Sequence, residues 1–512
     1  MEMDALKAFA LDFMEVSALL LTFGFGLLVL VVIYMFIVDV TQTSQTIRRN
    51  YPVIGRFRYF FEHLGEFFRQ YFFALDREEL PFNRAQRSWV YRAAKDIDST
   101  VAFGSTHPLN QPGDFIFLNG LFPPLEEEVK PRTSIGFGEG FAAHPYHTSS
   151  FFNISAMSFG ALSATAIAAL SNGAAKAGIW LNTGEGAISP YHLKGGCDVI
   201  FQIGTAKYGV RDDTGKLSNN KLREIAALDQ VRMFELKLSQ GAKPGKGGIL
   251  PAAKVTDVIA TTRGIPEGED SLSPNRHPDI NSIDDLLEMI HRIRQVTGKP
   301  TGIKAVIGQS AWLDELFQAI REKGLDYAPD FFTVDSADGG TGAAPQSLMD
   351  FMGLPVKRSL PLVVDKLVEY GLRDRIRVIC SGKMINPAGV AAALCLGADC
   401  VNSARGFMFA LGCIQALQCN KNTCPTGITT HDEDLQKGLD PTDKAARVAS
   451  YAHNLMHEVE IISHSCGVAE PSLLKREHAQ IINEIGSPEA LSEIYPDAQT
   501  LPQYRSDGFF QG

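Results

Sequence analysis

The chain has 512 residues, 45% hydrophobic and 21% charged, a composition able to fill a substantial globular core. A formal net charge of −10 and a pI near 5.7 argue against nucleic acid as a main partner, since phosphate backbones are held by basic surfaces through counterion release. The eight cysteines are sparse and three of them cluster, which suits a reducing compartment with a metal site better than a disulfide framework.

In chain order, the first element is an apolar run without charge from Val16 to Val38. Twenty-three residues of helix span about 35 Å, enough for a hydrocarbon core of about 30 Å. A cleaved signal peptide would want a basic flank and a shorter apolar core, but Glu2, Asp4, Asp12 and Glu15 face Lys7 alone. A buried core helix rarely needs so long an uncharged run. Residues 1–45 are therefore expected to be a single-pass membrane anchor. Arg48, Arg49, Arg56 and Arg58 follow the span, so the large C-terminal part should lie in the cytoplasm. The stretch from Arg58 to Trp89 is rich in arginine and aromatics. It could lie on a membrane surface, but its acidic residues favour packing, and 46–148 is expected to pack on the main domain.

From about Ser149, β-branched and aromatic runs alternate with helical patterns. Candidate strands fall at 150–155, 179–183, 198–204, 233–238, 301–306, 331–336, 376–382 and 400–404. Helical patterns fall at 161–178, 282–298, 311–324 and 360–372. The alternation predicts an α/β fold with a parallel sheet, and eight strands predict a closed (β/α)8 TIM barrel over 149–432. An open doubly wound sheet is the alternative. Residues 433–512 read as a helical C-terminal extension. GFGEG at 136–140 is no dinucleotide fingerprint, because no strand–turn–helix unit surrounds it, and it reads as a loop.

The loops after the strands carry glycines together with charged and amide groups, as a barrel active face requires. Cys413, Cys419 and Cys424 form C-x5-C-x4-C followed by Pro425. Three thiolates so spaced suit an iron–sulfur cluster of the [3Fe–4S] type, whereas a four-iron cluster would need a fourth ligand. Zinc usually shows CxxC pairs and four ligands, and three unliganded buried cysteines are the plain alternative. Phosphate donors are expected in the loops after the last two strands. Ser381, Gly382 and Lys383 form one set and Ser403, Ala404, Arg405 and Gly406 the other, with Gly339, Gly340 and Thr341 near the same ligand. Lys237, Lys243 and Lys246 cluster after the fourth strand around Gln240, and Arg263 follows; such cations can clamp carboxylates, arginine in bidentate fashion. Glu185 is a candidate acid–base or ammonia-binding group. A solvated charged loop is the competing reading for any one lysine.

Taken together, SAMSFGALS, LNTGEGAISPYH, KLSQGAKPGKGGILPAAKV, VDSADGGTGAAP and the three-cysteine run resemble the FMN-binding domain of glutamate synthase, over roughly 150–432. With the apolar N-terminus, the whole looks like a stand-alone, membrane-anchored branch of that family. The resemblance implies a barrel carrying FMN and a [3Fe–4S] cluster, with cluster ligands at Cys413, Cys419 and Cys424. It implies that ammonia adds to 2-oxoglutarate to give 2-iminoglutarate, which reduced FMN converts to L-glutamate. Lys237 and Gln240 would lie against the flavin, with Ser158 also on the cofactor side; Lys243 and Arg263 would bind substrate carboxylates, and Glu185 would precede the substrate. Lys246 and Ile249 stand where the large enzymes have an acid and an amide, and Ser336 and Asp338 where they have glycine and glutamate. These departures leave open a related FMN and iron–sulfur oxidoreductase acting on another amino or imino acid. A non-catalytic electron-transfer subunit is a third reading. The chain begins Met1-Glu2 without a cysteine nucleophile, so ammonia is expected from solution or a separate glutaminase, and electrons from ferredoxin or a separate reductase.

Overall fold

A computed structural model describes residues 2–496 and divides the chain into two compact units, Met1–Ala85 and Gln86–Gly512. The first unit opens with helix α1 (Glu2–Thr41). Its segment Leu11–Thr41, 31 residues of mean hydropathy 2.7, is long and apolar enough to cross a membrane. Shorter helices Thr46–Asn50 and Gly55–Phe68 follow, the latter running into a π-helical turn, Arg69–Phe73. Asp39, fully buried near the end of α1, joins these helices. It accepts from Arg48 at 2.6 Å, Arg56 at 2.8 Å and the Val53 amide at 3.0 Å. A carboxylate at a helix C-terminus opposes the helix dipole, and the two guanidinium groups offset that.

The second unit is built on a closed barrel of eight parallel strands. They are β1 (Phe152–Ile154), β2 (Leu181–Asn182), β3 (Val199–Ile203), β4 (Val231–Lys237), β5 (Thr301–Val306), β6 (Phe331–Asp335), β7 (Arg377–Ser381) and β8 (Cys400–Ser403). All eight coincide with the strands expected from sequence, and β5 matches residue for residue. Chain order is barrel order, and β8 closes on β1 through Val401 opposite Phe152.

Helices between the strands begin and end where side chains dictate. Ser163 and Ser282 each accept an amide of the first turn, from Ala166 and Asp285 at 3.1 Å, and Gly178 and Gly298 stop those helices at φ +66° and +69°. The helix expected over 360–372 instead spans Val356–Glu369, continuing through Pro361. Proline cannot donate to the carbonyl four residues earlier. Here the Tyr495 hydroxyl donates to that carbonyl, Lys357 O, at 2.7 Å. The long helix Pro441–Ser465 packs on Ala164–Ala177, where a Cβ on Gly173 would lie 2.5 Å from Val448 Cβ.

The barrel axis is filled at two levels. At its N-terminal end, Phe137 meets Trp180 at 5.9 Å and Phe331 at 5.8 Å between ring centroids, with Tyr146 stacked beside it. Phe137 enters from a short antiparallel pair, Ile135–Phe137 with Tyr146–Thr148, so GFGEG begins in a strand that helps plug the barrel. Higher up, buried Glu235 accepts from Asn182 (2.9 Å), Gln202 (2.6 Å) and Thr333 (2.6 Å), a carboxylate satisfied from three other strands.

Candidate active site at the C-terminal end of the barrel

Above that layer, Lys304 of β5 pairs with Asp335 of β6 at 3.3 Å, both nearly buried. Asp335 also accepts the Gly241 amide at 3.0 Å, so one carboxylate anchors the loop after β4 to the loop after β6. The two backbones cross at Gly241 and Gly339. An added Cβ on either glycine would come within 2.8 Å of the other's Cα, so neither position tolerates a side chain.

At the end of β4, Lys237 pairs with Glu185 at 2.9 Å and also donates to Gln240 Oε1. Its carbonyl meets buried His277 at 2.9 Å. Glycines pack around the Glu185 carboxylate: a Cβ on Gly248 would lie 2.6 Å from Oε1 and one on Gly204 2.9 Å from Oε2. Burial pushes the Glu185 pKa up, but Lys237, with Lys243 and Arg263 behind it, outweighs burial and holds the carboxyl below its ordinary value. Burial lowers the Lys243 ammonium to about 8, with Lys237 adding repulsion and Glu185 opposing it. Arg263 is buried beneath the Glu185 loop, donating to Phe159 O (3.1 Å) and Ser271 Oγ (3.2 Å) and stacking 5.4 Å over Tyr208. Its Nε–H is buried without a hydrogen-bond partner.

The expected phosphate loops are side by side. Ser381 of β7 is opposite Asn402 of β8, and the Ser381 carbonyl accepts from Ser336 N at 3.1 Å. Gly382 has φ +135°, and a Cβ there would sit 2.1 Å from Ser336 Oγ; Lys383 follows at φ +52°. Ser403 and Ala404 lead into the helix Arg405–Leu411. Arg405 donates to Asp338 O and lies under Gly340, where a Cβ would be 2.8 Å from its Nε. Ser158 sits below the Glu185 loop, its amide 2.7 Å from where a Cβ on Gly184 would be. Thr341 donates to Ala343 O at 3.3 Å. Loops from six strands thus converge on one face.

Cys413, Cys419 and Cys424 share one loop beyond this face. Burial pushes Cys413 up to about 12, with Cys419 and Cys424 adding to the shift, so the three sulfurs feel one another. Cys424 is held below its ordinary value despite burial by hydrogen bonds, first from Thr426 at 3.3 Å. Among the described residues no three His, Cys, Asp or Glu side chains converge as a single metal ion requires.

Sequence reasoning missed Lys304, Asp335, Glu235 and Tyr208. The first three are charged residues inside otherwise apolar strand runs, a signal that was legible. Tyr208 had none. Lys246 has an exposed side chain and its amide meets Lys243 O at 3.3 Å, with its charge near enough to add to the repulsion on Lys243.

A closed parallel barrel whose strand ends gather a buried carboxylate, cations and glycine-lined loops is a (β/α)8-barrel enzyme. The conserved region in glutamate synthase matches residues 139–469. A glutamate synthase large subunit-like protein, YerD, of Bacillus subtilis strain 168 is 38% identical over 91% of this chain and 96% of its own length. An archaeal-type glutamate synthase [NADPH] of Thermotoga neapolitana is 34% identical over 72% and 74% of the two chains. Among solved structures, a mandelate oxidase aligns with 13% identity and a TM-score of 0.46 over 78% of this chain and 99% of that one, a remote likeness. The chain belongs to the glutamate synthase family, and it is an oxidoreductase acting on CH–NH2 groups.

Proposed function

We propose that the protein makes L-glutamate from 2-oxoglutarate and ammonia, through 2-iminoglutarate, using FMN and a [3Fe–4S] cluster. The observation that carries this reading is the ring of Lys237, Lys243 and Arg263 around Glu185, beside the glycine loops of β6, β7 and β8. Backbone donors at Gly382, Lys383, Ala404 and Arg405, with Ser381 and Ser403, would hold the flavin phosphate. Gly339, Gly340, Thr341, Gln240 and Ser158 would border its ring. FMN held there would supply hydride chemistry, and Cys413, Cys419 and Cys424 would hold a cluster able to supply single electrons.

The chain's own groups do the rest. Lys243 and the free Nε–H of Arg263 bind the substrate carboxylates. Glu185, ionised at neutral pH and paired with Lys237, accepts a proton from the nitrogen as ammonia adds to the keto carbon, and returns it to the carbinolamine hydroxyl, which leaves as water to give the imine. Buried walls keep water from the imine. Ferredoxin or a separate reductase would supply electrons, and free ammonia or a separate glutaminase the nitrogen. Helix α1 would anchor the protein in a membrane with its catalytic part in the cytoplasm. The test is anaerobic protein with full cofactor content, reductant, ammonia and 2-oxoglutarate. Glutamate should accumulate, and its absence would overturn the reading.

A second reading, oxidation or reduction of another amino or imino acid, is favoured by Ile249. This residue replaces an amide and follows Gly248, which abuts Glu185. A substrate screen followed by flavin reoxidation separates the two.

A further inference from the structure

The helix Gly55–Phe68 and its π-helical continuation expose an apolar stripe. Phe57, Phe60, Phe61, Phe68, Tyr71 and Phe72 recur at helical spacing along one side, each between 40% and 73% exposed. Phe57 stacks on Phe61 at 6.4 Å and Phe68 packs on Phe72 at 5.2 Å, so the rings form two paired groups along that side, together an aromatic ridge. By helical spacing Arg58, Glu62 and Arg69 fall on the other side. An aromatic ridge left to water would be costly for a soluble surface.

Two facts say what covers it. The ridge begins at Phe57, past the end of a membrane-length helix at Thr41, and the Asp39 cluster ties the end of that helix to Arg48 and Arg56 at the ridge's root. Charge is the second: Arg48, Arg49, Arg56, Arg58 and Arg69 stand against Glu62 and Glu66 in a chain whose net charge is −10. Aromatic rings and arginines together suit the headgroup level of an anionic leaflet.

In place of the packing on the main domain expected from sequence, we propose that residues 55–73, which fall in the same compact unit as the span, lie in the plane of an acidic phospholipid surface, with the aromatic ridge in the acyl boundary, as a second membrane element held to the span by Asp39. This goes beyond the catalytic reading and does not depend on it, although it does rest on the anchor.

The test uses the full chain in vesicles of phosphatidylcholine and phosphatidylglycerol, with acyl chains brominated near the headgroup. Tryptophan emission is read for Phe61→Trp and Glu62→Trp after subtracting the wild-type signal. Bromolipid should quench the added emission of Phe61→Trp about twofold or more and leave that of Glu62→Trp nearly unchanged. Adding Arg49→Glu and Arg58→Glu should weaken the Phe61→Trp quenching. Alkaline carbonate extraction reports the span separately. Release by carbonate would overturn the anchor and this inference with it. Retention with no quenching at Phe61→Trp, or equal quenching at both positions, would overturn this inference alone.

Discussion

Replacing Asp335 with asparagine separates two roles of one buried group. The substitution keeps an acceptor for the Gly241 amide but removes the charge 3.3 Å from Lys304. At that distance and an effective dielectric of about 20, the pair's attraction is about 5 kcal/mol. Orphaning one member of such a pair costs about 3–5 kcal/mol. For the unit Gln86–Gly512 the entropy of unfolding is roughly 0.9 kcal/mol/K at average per-residue values. Asp335→Asn should therefore lower Tm by about 3–6 °C in differential scanning calorimetry of the detergent-solubilised protein. Lys304→Met should also destabilise, and the double variant, which buries neither charge, should recover at least half of the Asp335→Asn loss. Burial pushes the Lys304 pKa down, but Asp335 and then Glu235 outweigh it, so the folded value lies above the ordinary 10.5. Stabilisation of this sign is complete below the unfolded pKa and is lost only as pH rises through the higher folded value. The pair's contribution in the wild type should thus stay constant from about pH 7 to 9, while in Asp335→Asn burial is no longer offset by Asp335 and Lys304 should titrate lower. A Tm loss below about 1 °C, or a double variant no better than the sum of the singles, would refute the reasoning.

Lys243→Met should raise KM for 2-oxoglutarate by about tenfold or more, the scale of a lost charged hydrogen bond. In the wild type, KM should climb as pH passes about 8, where Lys243 loses its charge, while the variant's KM stays flat; initial rates across pH decide this. Gly173→Ala improves helix propensity yet should destabilise by about 1–3 kcal/mol, because its Cβ would meet Val448; adding Val448→Ala should restore Tm in thermal scans. Cys413→Ser should lower iron and acid-labile sulfide in anaerobically purified protein while flavin content holds.

The barrel was legible because each strand is a short apolar run ended by glycine or polar residues, and the sheet is buried on both faces. Boundaries drifted where local signals conflicted. Pro361 resembles a helix start, and only Tyr495, far along the chain, lets the helix run through it. The cation ring could be read from K-x-x-Q-G-A-K; Lys304, Asp335 and Glu235 stand out as charges inside apolar strand runs, but which groups they pair with could not be read. Their meaning lies in strand neighbours that a linear sequence does not display. Lys246 lies past the turn at Gly245, φ +74°, with its side chain exposed at the edge of that cation group.

The aromatic plug at one end and the Glu235 layer above it make the barrel a vessel with a single mouth. No small molecule can travel along its axis, so whatever enters and leaves the site must cross the same rim. Any protein delivering ammonia would have to dock over that rim without blocking the exit of what is made there.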